Sequence, residues 1–327
     1  MKASVMTLVQ AVNNALDIKL GDDPNVMVYG EDVGVEGGVF RVTSGLQKKY
    51  GMARVFDSPL AEAGIIGTAV GMAAAGLRPV VEIQFSGFVF QGFAQILYHV
   101  ARMRTRSRGR YSAAVVIRMP YGGNIKALEH HSESMEALFG HIQGLTCVIP
   151  STPYDAKGLL IAAIESDDPV VFCEPIRIYR AIKQEVPEEK YAIPLGKARV
   201  LAEGSDITVV TYGNEVREVQ RAMVQAKEAG ISVELIDLRS IFPIDRETLA
   251  HSIKKTGRLL VVNEGPMSYG VGAEIMAIAN EEAFLSLEAP PTRLSAPDIV
   301  PPLPKGEHYY FHSPRRIFYE IKKVVEF

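Results

Sequence analysis

The chain has 327 residues, 47% of them hydrophobic and 22% charged, with a formal net charge of −3. That length allows two domains with sizeable cores, and that charge excludes the strongly basic surface on which nucleic acid or an anionic membrane depends. The longest charge-free apolar run, 64–76, is shorter than the roughly 20 residues a bilayer-crossing helix needs.

Taken in chain order, the start MKASVMTLVQAVNNALDIKL lacks the basic flank, apolar core and small-residue cleavage site of a secretory signal and reads as a capped amphipathic helix. Strands are predicted at 25–30, 78–85, 113–119, 145–150 and 169–174, with helices near 60–75, 88–103, 132–140 and 153–165. Their apolar character is continuous rather than alternating, the mark of a parallel sheet covered on both faces, so the fold class is α/β. The two cysteines, Cys147 and Cys173, fall inside such strands without metal-ligand spacing. They read as buried free thiols of a reducing compartment, with the cytoplasm as the default location.

From 182 to 197 the pattern breaks into a polar segment with two prolines, read as an interdomain linker. Domains are therefore expected at 1–185 and 186–327. The second carries strands at 206–211, 233–237 and 258–263, helices near 214–229, 245–256 and 270–284, and a last helix at 313–325. The proline-rich stretch 289–306 reads as an extended surface connection.

One short stretch poses the functional question. SPLAEAGIIGTAVGMAAAG, residues 58–76, holds a single charge, Glu62. Ser58 as N-cap and Pro59 at the first helical position would begin a helix, with Gly64, Gly67 and Gly71 recurring on one face for close approach. A helix without charge on any side is expected to be buried. Glu62 then has two readings: it favours the positive end of the helix dipole, or it enters the interior as an acid suited to exchange a proton with a buried nitrogen.

Three neighbours bear on that choice. VYGEDVGVEGGVF, residues 28–40, sets Glu31 and Asp32 at a strand end ahead of a glycine loop, where parallel sheets bind ligands, although a solvated turn fits as well. VEIQFSGFVFQGFAQI, residues 81–96, gathers Gln84, Phe85, Phe88, Phe90 and Phe93, which suit either a core or stacking on a flat heterocycle. ALEHHSES, residues 127–134, supplies His130 and His131 before a helix that Ser132 or Ser134 would cap. Without further ligands at metal spacing, acid/base use is the better functional reading of that pair.

Together with CVIPSTPYDAKGLL (147–160), DDPVVFCEP, DLRSIFPID (237–245) and LSLEAP (285–290), these stretches resemble, in order and over almost the whole chain, the beta subunit of the thiamine diphosphate-dependent decarboxylating component of 2-oxo acid dehydrogenase complexes, of the pyruvate and branched-chain types. The resemblance implies a parallel-sheet pyrimidine-binding domain followed by a smaller transketolase C-terminal-like α/β domain. It implies oxidative decarboxylation of a 2-oxo acid and reductive acylation of lipoyl groups. Glu62 matches the glutamate that shares a proton with the cofactor's aminopyrimidine. Leu60, Gln84 and Phe88 match the pyrimidine pocket, and Glu31 an acid linking the two cofactor sites of the assembly. His131 matches the histidine beside acyl transfer, with His130 as its competitor. Gly87 stands where relatives carry an acidic or amide residue. The backbone carbonyls of Val115, Ala163, Ser166 and Asp168 match a structural potassium site.

Enzymes of this kind that grip the diphosphate themselves carry a GDG motif and a later asparagine, which position magnesium. GDDPN, residues 21–25, lacks the second glycine and that partner. The resemblance thus implies an alpha subunit holding magnesium and the diphosphate in an α2β2 heterotetramer. It also implies docking of the C-terminal domain on a lipoyl acyltransferase core, with Glu288 and the terminal carboxylate as candidate contacts. The arginine-rich ARMRTRSRGR, residues 101–110, reads as structural or interfacial. An acetoin dehydrogenase beta subunit, a transketolase-like enzyme and a non-catalytic scaffolding subunit are the other readings; the retention of Glu62 speaks against the last.

Overall fold

The computed structural model describes residues 2–327. The chain forms two compact units, one running to Tyr121 and resuming over Leu138–Leu195, the other taking in Gly122–Ala137 and Gly196–Phe327. A short excursion around His130 and His131 thus belongs to the second unit, and the boundary expected at 185/186 falls within a strand, Lys183–Pro187.

In the first unit the strands are β1 (Ala3–Thr7), β2 (Val26–Gly30), β3 (Val55–Asp57), β4 (Arg78–Glu82), β5 (Val116–Tyr121), β6 (Thr146–Val148), β7 (Val170–Pro175) and β8 (Lys183–Pro187). Six of them lie side by side in the order β6, β7, β5, β4, β2, β3, all parallel. Every residue of β5 and β7 is buried, as the continuous apolar runs predicted. The register sets Gly30 opposite Glu82 and Glu82 opposite Arg118, so charged residues line one strand-end edge of the sheet.

Several expectations are corrected. The first residues are not helical: β1 pairs antiparallel with β8, and the helix begins only at Leu8, where Thr7 and Gln10 form a reciprocal capping box. Strand β8 lies in the stretch read as linker, its five residues too polar to register as a strand. The helix expected from Ser58 begins at Glu62, with Ala61 as a cap that has no side-chain hydrogen bond. The reason is that Ser58 donates its N–H to Gly30 O (2.9 Å), which prolongs the β2–β3 ladder, and a residue before proline favours extended backbone. That helix, Glu62–Ala74, is buried only along Glu62, Ile65, Ile66 and Ala69; Ala63, Gly64, Thr68 and Gly71 are exposed in the single chain, contrary to burial on every side.

The helix expected over 88–103 is broken into a 3-10 segment, Ser86–Gln91, a short turn, and a π-type turn, Ile96–Val100, in which Ala101 N–H reaches Ile96 O (3.0 Å). Gly92 sits so close to Glu62–Ala74 that a Cβ there would lie 2.5 Å from Ile66 Cδ1. Close approach, rather than helical periodicity, shapes this stretch. The helix after the histidines starts at Glu136, past both candidate caps. Of the arginine-rich segment, Arg104 pairs with Asp168, and Arg102 and Arg106 donate to Leu97 O and Tyr98 O.

The second unit contains β9 (Arg199–Ala202), β10 (Ile207–Thr211), β11 (Val233–Asp237), β12 (Ser240–Phe242), β13 (Leu259–Pro266) and β14 (Thr292–Ala296). Five form a sheet in the order β14, β13, β10, β11, β9, parallel except for the antiparallel edge β9. Strand β14 replaces part of the expected surface connection, because Leu294, Ser295 and Ala296 are buried against β13. Helices Asn214–Glu228 and Pro314–Val325 cover one core, built on Val209, Leu235, Leu260, Ile317 and Ile321. Both cysteines are buried, and neither forms a disulfide. No helix among the described residues is long and apolar enough to cross a membrane.

Candidate functional site

In open parallel sheets, ligands collect beyond the carboxyl ends of the strands. There, in the first unit, stand Glu31 after β2, Glu62 after β3, and Gln84 to Phe88 after β4. Glu62 is 8% exposed at the first helical position, whereas Leu60 just before it is 72% exposed. Burial, then the neighbouring carboxylates of Asp32 and Glu62, push the Glu31 carboxyl above the ordinary range. The two glutamates predicted from sequence are therefore electrostatic neighbours.

Gln84 Nε2 donates to Asp32 Oδ2 at 3.4 Å, and Asp32 itself has φ 57°. Phe88 packs edge-on against Phe85 at 5.5 Å, and Phe85 against Phe40 at 5.4 Å, so the aromatic cluster borders the same strand ends. The glycine loop is held by Asp57, which accepts from Gly34 N–H (2.6 Å) and Val35 N–H (3.3 Å). A Cβ at Gly38 would stand 3.3 Å from Glu82 Oε1. Ser58 Oγ, beside these groups in sequence, is buried without a hydrogen-bond partner.

Sequence reasoning missed Asp57 and a buried charge network beneath this edge. Arg118 bonds Glu174 through Nε (2.6 Å) and Nη2 (3.0 Å) and Glu82 through Nη1 (2.9 Å), while Tyr179 donates to Glu174 (2.7 Å). All four are fully or almost fully buried. Burial pushes the Glu82 carboxyl up against the opposing pull of Arg118. The signal was present: Glu82, Arg118 and Glu174 are charges set in otherwise apolar strands, which buried groups tolerate only when paired.

His130 and His131 lie in the second unit's excursion. His130 is exposed, with φ 63°, and its Nδ1 is 3.9 Å from Glu133. His131 is half-buried, and its Nδ1 lies 2.7 Å from Glu129 O. A carbonyl partner puts the proton on Nδ1 and makes Nε2 the basic nitrogen.

The carbonyls suggested for potassium gather at the opposite edge of the first sheet, around the C-terminal end of the helix Pro153–Glu165. Val115 O accepts from Val170 N–H, Ala163 O from Ser166 N–H, Ser166 O from Arg78 Nη1 (3.0 Å) and Asp168 O from Ser166 Oγ (2.9 Å). Each retains a second lone pair, and a helix C-terminus favours positive charge, which the Arg78 guanidinium already exploits. Glu288 is paired with Arg258 (2.7 Å) inside the second unit. Among the described residues no group of three or more His, Cys, Asp or Glu is arranged to hold a metal ion.

Comparison with known proteins bears on both units. Residues 4–181 match the family described as transketolase, pyrimidine binding domain, and residues 196–317 match transketolase, C-terminal domain. The chain is 56% identical to the pyruvate dehydrogenase E1 component subunit beta of Acholeplasma laidlawii, over 99% of both chains. It is 50% identical to that of Mycoplasma pneumoniae, over 97% of both, and 49% identical to that of Bacillus subtilis, over 98% of this chain and 99% of the other. In fold it is similar to a split-gene transketolase solved as an inactive beta4 tetramer, with a TM-score of 0.81 at 20% identity, covering 98% of each chain.

Proposed function

This chain belongs to the family of pyruvate dehydrogenase E1 component beta subunits, and from that premise we propose that it supplies the pyrimidine-binding half of an α2β2 enzyme acting on pyruvate. The observation that carries the reading is the pair of neighbouring acids, Glu62 buried and Glu31 raised, at the strand ends of a thiamine-enzyme pyrimidine-binding domain. Bound against these residues, thiamine diphosphate supplies the carbanion-stabilising chemistry that decarboxylation of a 2-oxo acid requires.

The residues fit that group. Glu62 holds a proton at the ring nitrogen of the aminopyrimidine, and its buried setting keeps water from taking over the exchange. Phe88 and Leu60 would border the ring, Gln84 donates to Asp32, and Glu31, whose carboxyl is pushed up by burial and its acidic neighbours, would join the same proton exchange. The exposure of Leu60 and of the small-residue face of Glu62–Ala74 supports closure of the pocket by another chain. That chain is the alpha subunit, which would hold magnesium and the diphosphate. His131, with Nε2 as the basic nitrogen, gives or takes the proton during acyl transfer to the lipoyl group. Docking on the acyltransferase core falls to the second unit, where Glu288 would exchange Arg258 for a basic group of the core. The cytoplasm is the corresponding location.

Co-expression with the alpha subunit, followed by turnover of pyruvate, a branched-chain 2-oxo acid and acetoin with thiamine diphosphate and magnesium, tests this. Pyruvate is expected to lead by about tenfold or more in kcat/KM. Preference for acetoin or the branched acid would overturn the substrate assignment.

The potassium carbonyls lie away from the acids, so an ion there would be structural. Melting the assembled enzyme in potassium chloride and in equimolar sodium chloride is expected to give the higher Tm in potassium, because a ligand of the native state stabilises it by mass action. Equal values would remove potassium from the account.

A further inference from the structure

The histidine excursion leaves the first unit after Tyr121 and re-enters it at Leu138, yet its backbone lies against the second unit's sheet. Strand β13 is apolar until Asn263 and Glu264 at its carboxyl end. Glu264 is buried, and its two oxygens accept from Gly123 N–H (2.5 Å) and Asn214 Nδ2 (2.7 Å). A backbone donor fixes position more tightly than a mobile side-chain cation would, because the N–H direction is set by the chain.

The fit around that contact is close. Gly122 has φ 83°, and a Cβ on it would lie 2.8 Å from both Asn214 Nδ2 and Glu264 Oε1. A Cβ on Gly123 would lie 2.3 Å from Phe311 Cζ. Further along, Lys126 N–H donates to both oxygens of the buried Glu307 (3.0 Å), and Glu136 closes the excursion by accepting from Tyr212 OH (2.7 Å). Between these pins Asn124, Lys126 and His130 hold left-handed backbone, which persists only where the surroundings impose it. His131 takes its ring orientation from the loop backbone, through Glu129 O. Whatever moves the loop therefore moves the imidazole.

We infer that Glu264, oriented by Asn214, is a positioning residue for the acyl-transfer step, setting the histidine loop and with it His131; this rests on the acid/base role proposed for His131. The test uses the α2β2 enzyme with thiamine diphosphate and magnesium, and follows lipoamide acetylation in Glu264→Ala, Glu264→Gln, His131→Ala and the double variant Glu264→Ala/His131→Ala. Glu264→Ala is expected to lose about 100-fold in kcat with KM for pyruvate unchanged, the effect of a reacting group misplaced by about an ångström. In the His131→Ala background the same change is expected to cost less than about threefold, since coupled residues are not additive. Glu264→Gln, which keeps an acceptor oxygen, is expected to recover most of the rate. If Glu264→Ala does not assemble, Asn214→Ala, which removes one donor to Glu264 and leaves the Gly123 N–H bond to it in place, is expected to lose about tenfold with the same dependence on His131.

An equal loss in both backgrounds, or wild-type kinetics in Glu264→Ala, would overturn the inference. A silent His131→Ala would instead sink the role of His131, and the anchoring would then be decided by amide hydrogen exchange. Faster exchange over 122–131 in Glu264→Ala supports the anchor; unchanged exchange overturns it.

Discussion

Replacing Glu62 by glutamine in the assembled enzyme is expected to lower pyruvate turnover by about 10³-fold while leaving thiamine diphosphate bound, within the range that a positioned proton-transfer group contributes. The change is nearly isosteric. Glu62 is buried at the first residue of its helix, where the backbone of Gly92 packs against it: a Cβ on Gly92 would lie 2.9 Å from Glu62 O. The glutamine therefore keeps the shape of the pocket and loses only the ability to exchange a proton. Steady-state kinetics with an artificial electron acceptor, alongside a cofactor titration, separate the two effects. A large loss of affinity with little loss of kcat would make Glu62 a binding residue instead.

The second large effect is structural. Arg118→Met leaves Glu82 and Glu174 buried without their cation, and breaking such a network from one side costs about 3–5 kcal/mol. A fall in Tm on the order of 10 °C is expected. The sign of its pH dependence follows from Glu82, whose carboxyl is already pushed up by burial and would rise further without Arg118. Between the ordinary carboxylate range and that raised value the folded state binds a proton that the unfolded chain does not. Stability is then gained as pH falls and lost as it rises. The variant should regain part of its deficit as pH falls from neutrality toward the ordinary carboxylate range, more than the parent does. A deficit independent of pH would mean that the two acids are not the source of the cost.

The parallel cores were legible because buried strands carry continuous apolar runs, and β2, β4, β7, β10 and β11 lie within a few residues of their expected places. Strands β1 and β8 were not, because a half-exposed antiparallel pair has a mixed pattern over five residues each. The start at Glu62 was hidden by a ladder hydrogen bond between Ser58 and Gly30, a tertiary fact that outweighed the Ser-Pro cap signal. The exposed face of that helix was read as interior because composition alone does not tell which faces of an apolar helix the chain itself covers. The acids at the strand ends were visible as charges in apolar surroundings, and Arg118 offered the same signal inside a strand. The passage of the histidine loop to the second unit has no periodicity to reveal it; only the glycine pair Gly122–Gly123 hinted at a close approach.

The most direct test of the central claim is the rate at which the C2 proton of bound thiamine diphosphate exchanges with deuterium, followed by nuclear magnetic resonance after acid quench in the parent enzyme and in Glu62→Gln. If the buried Glu62 carboxylate governs protonation of the aminopyrimidine, exchange in the variant slows by about 10³-fold at equal cofactor occupancy. Exchange at the parent rate would contradict the account.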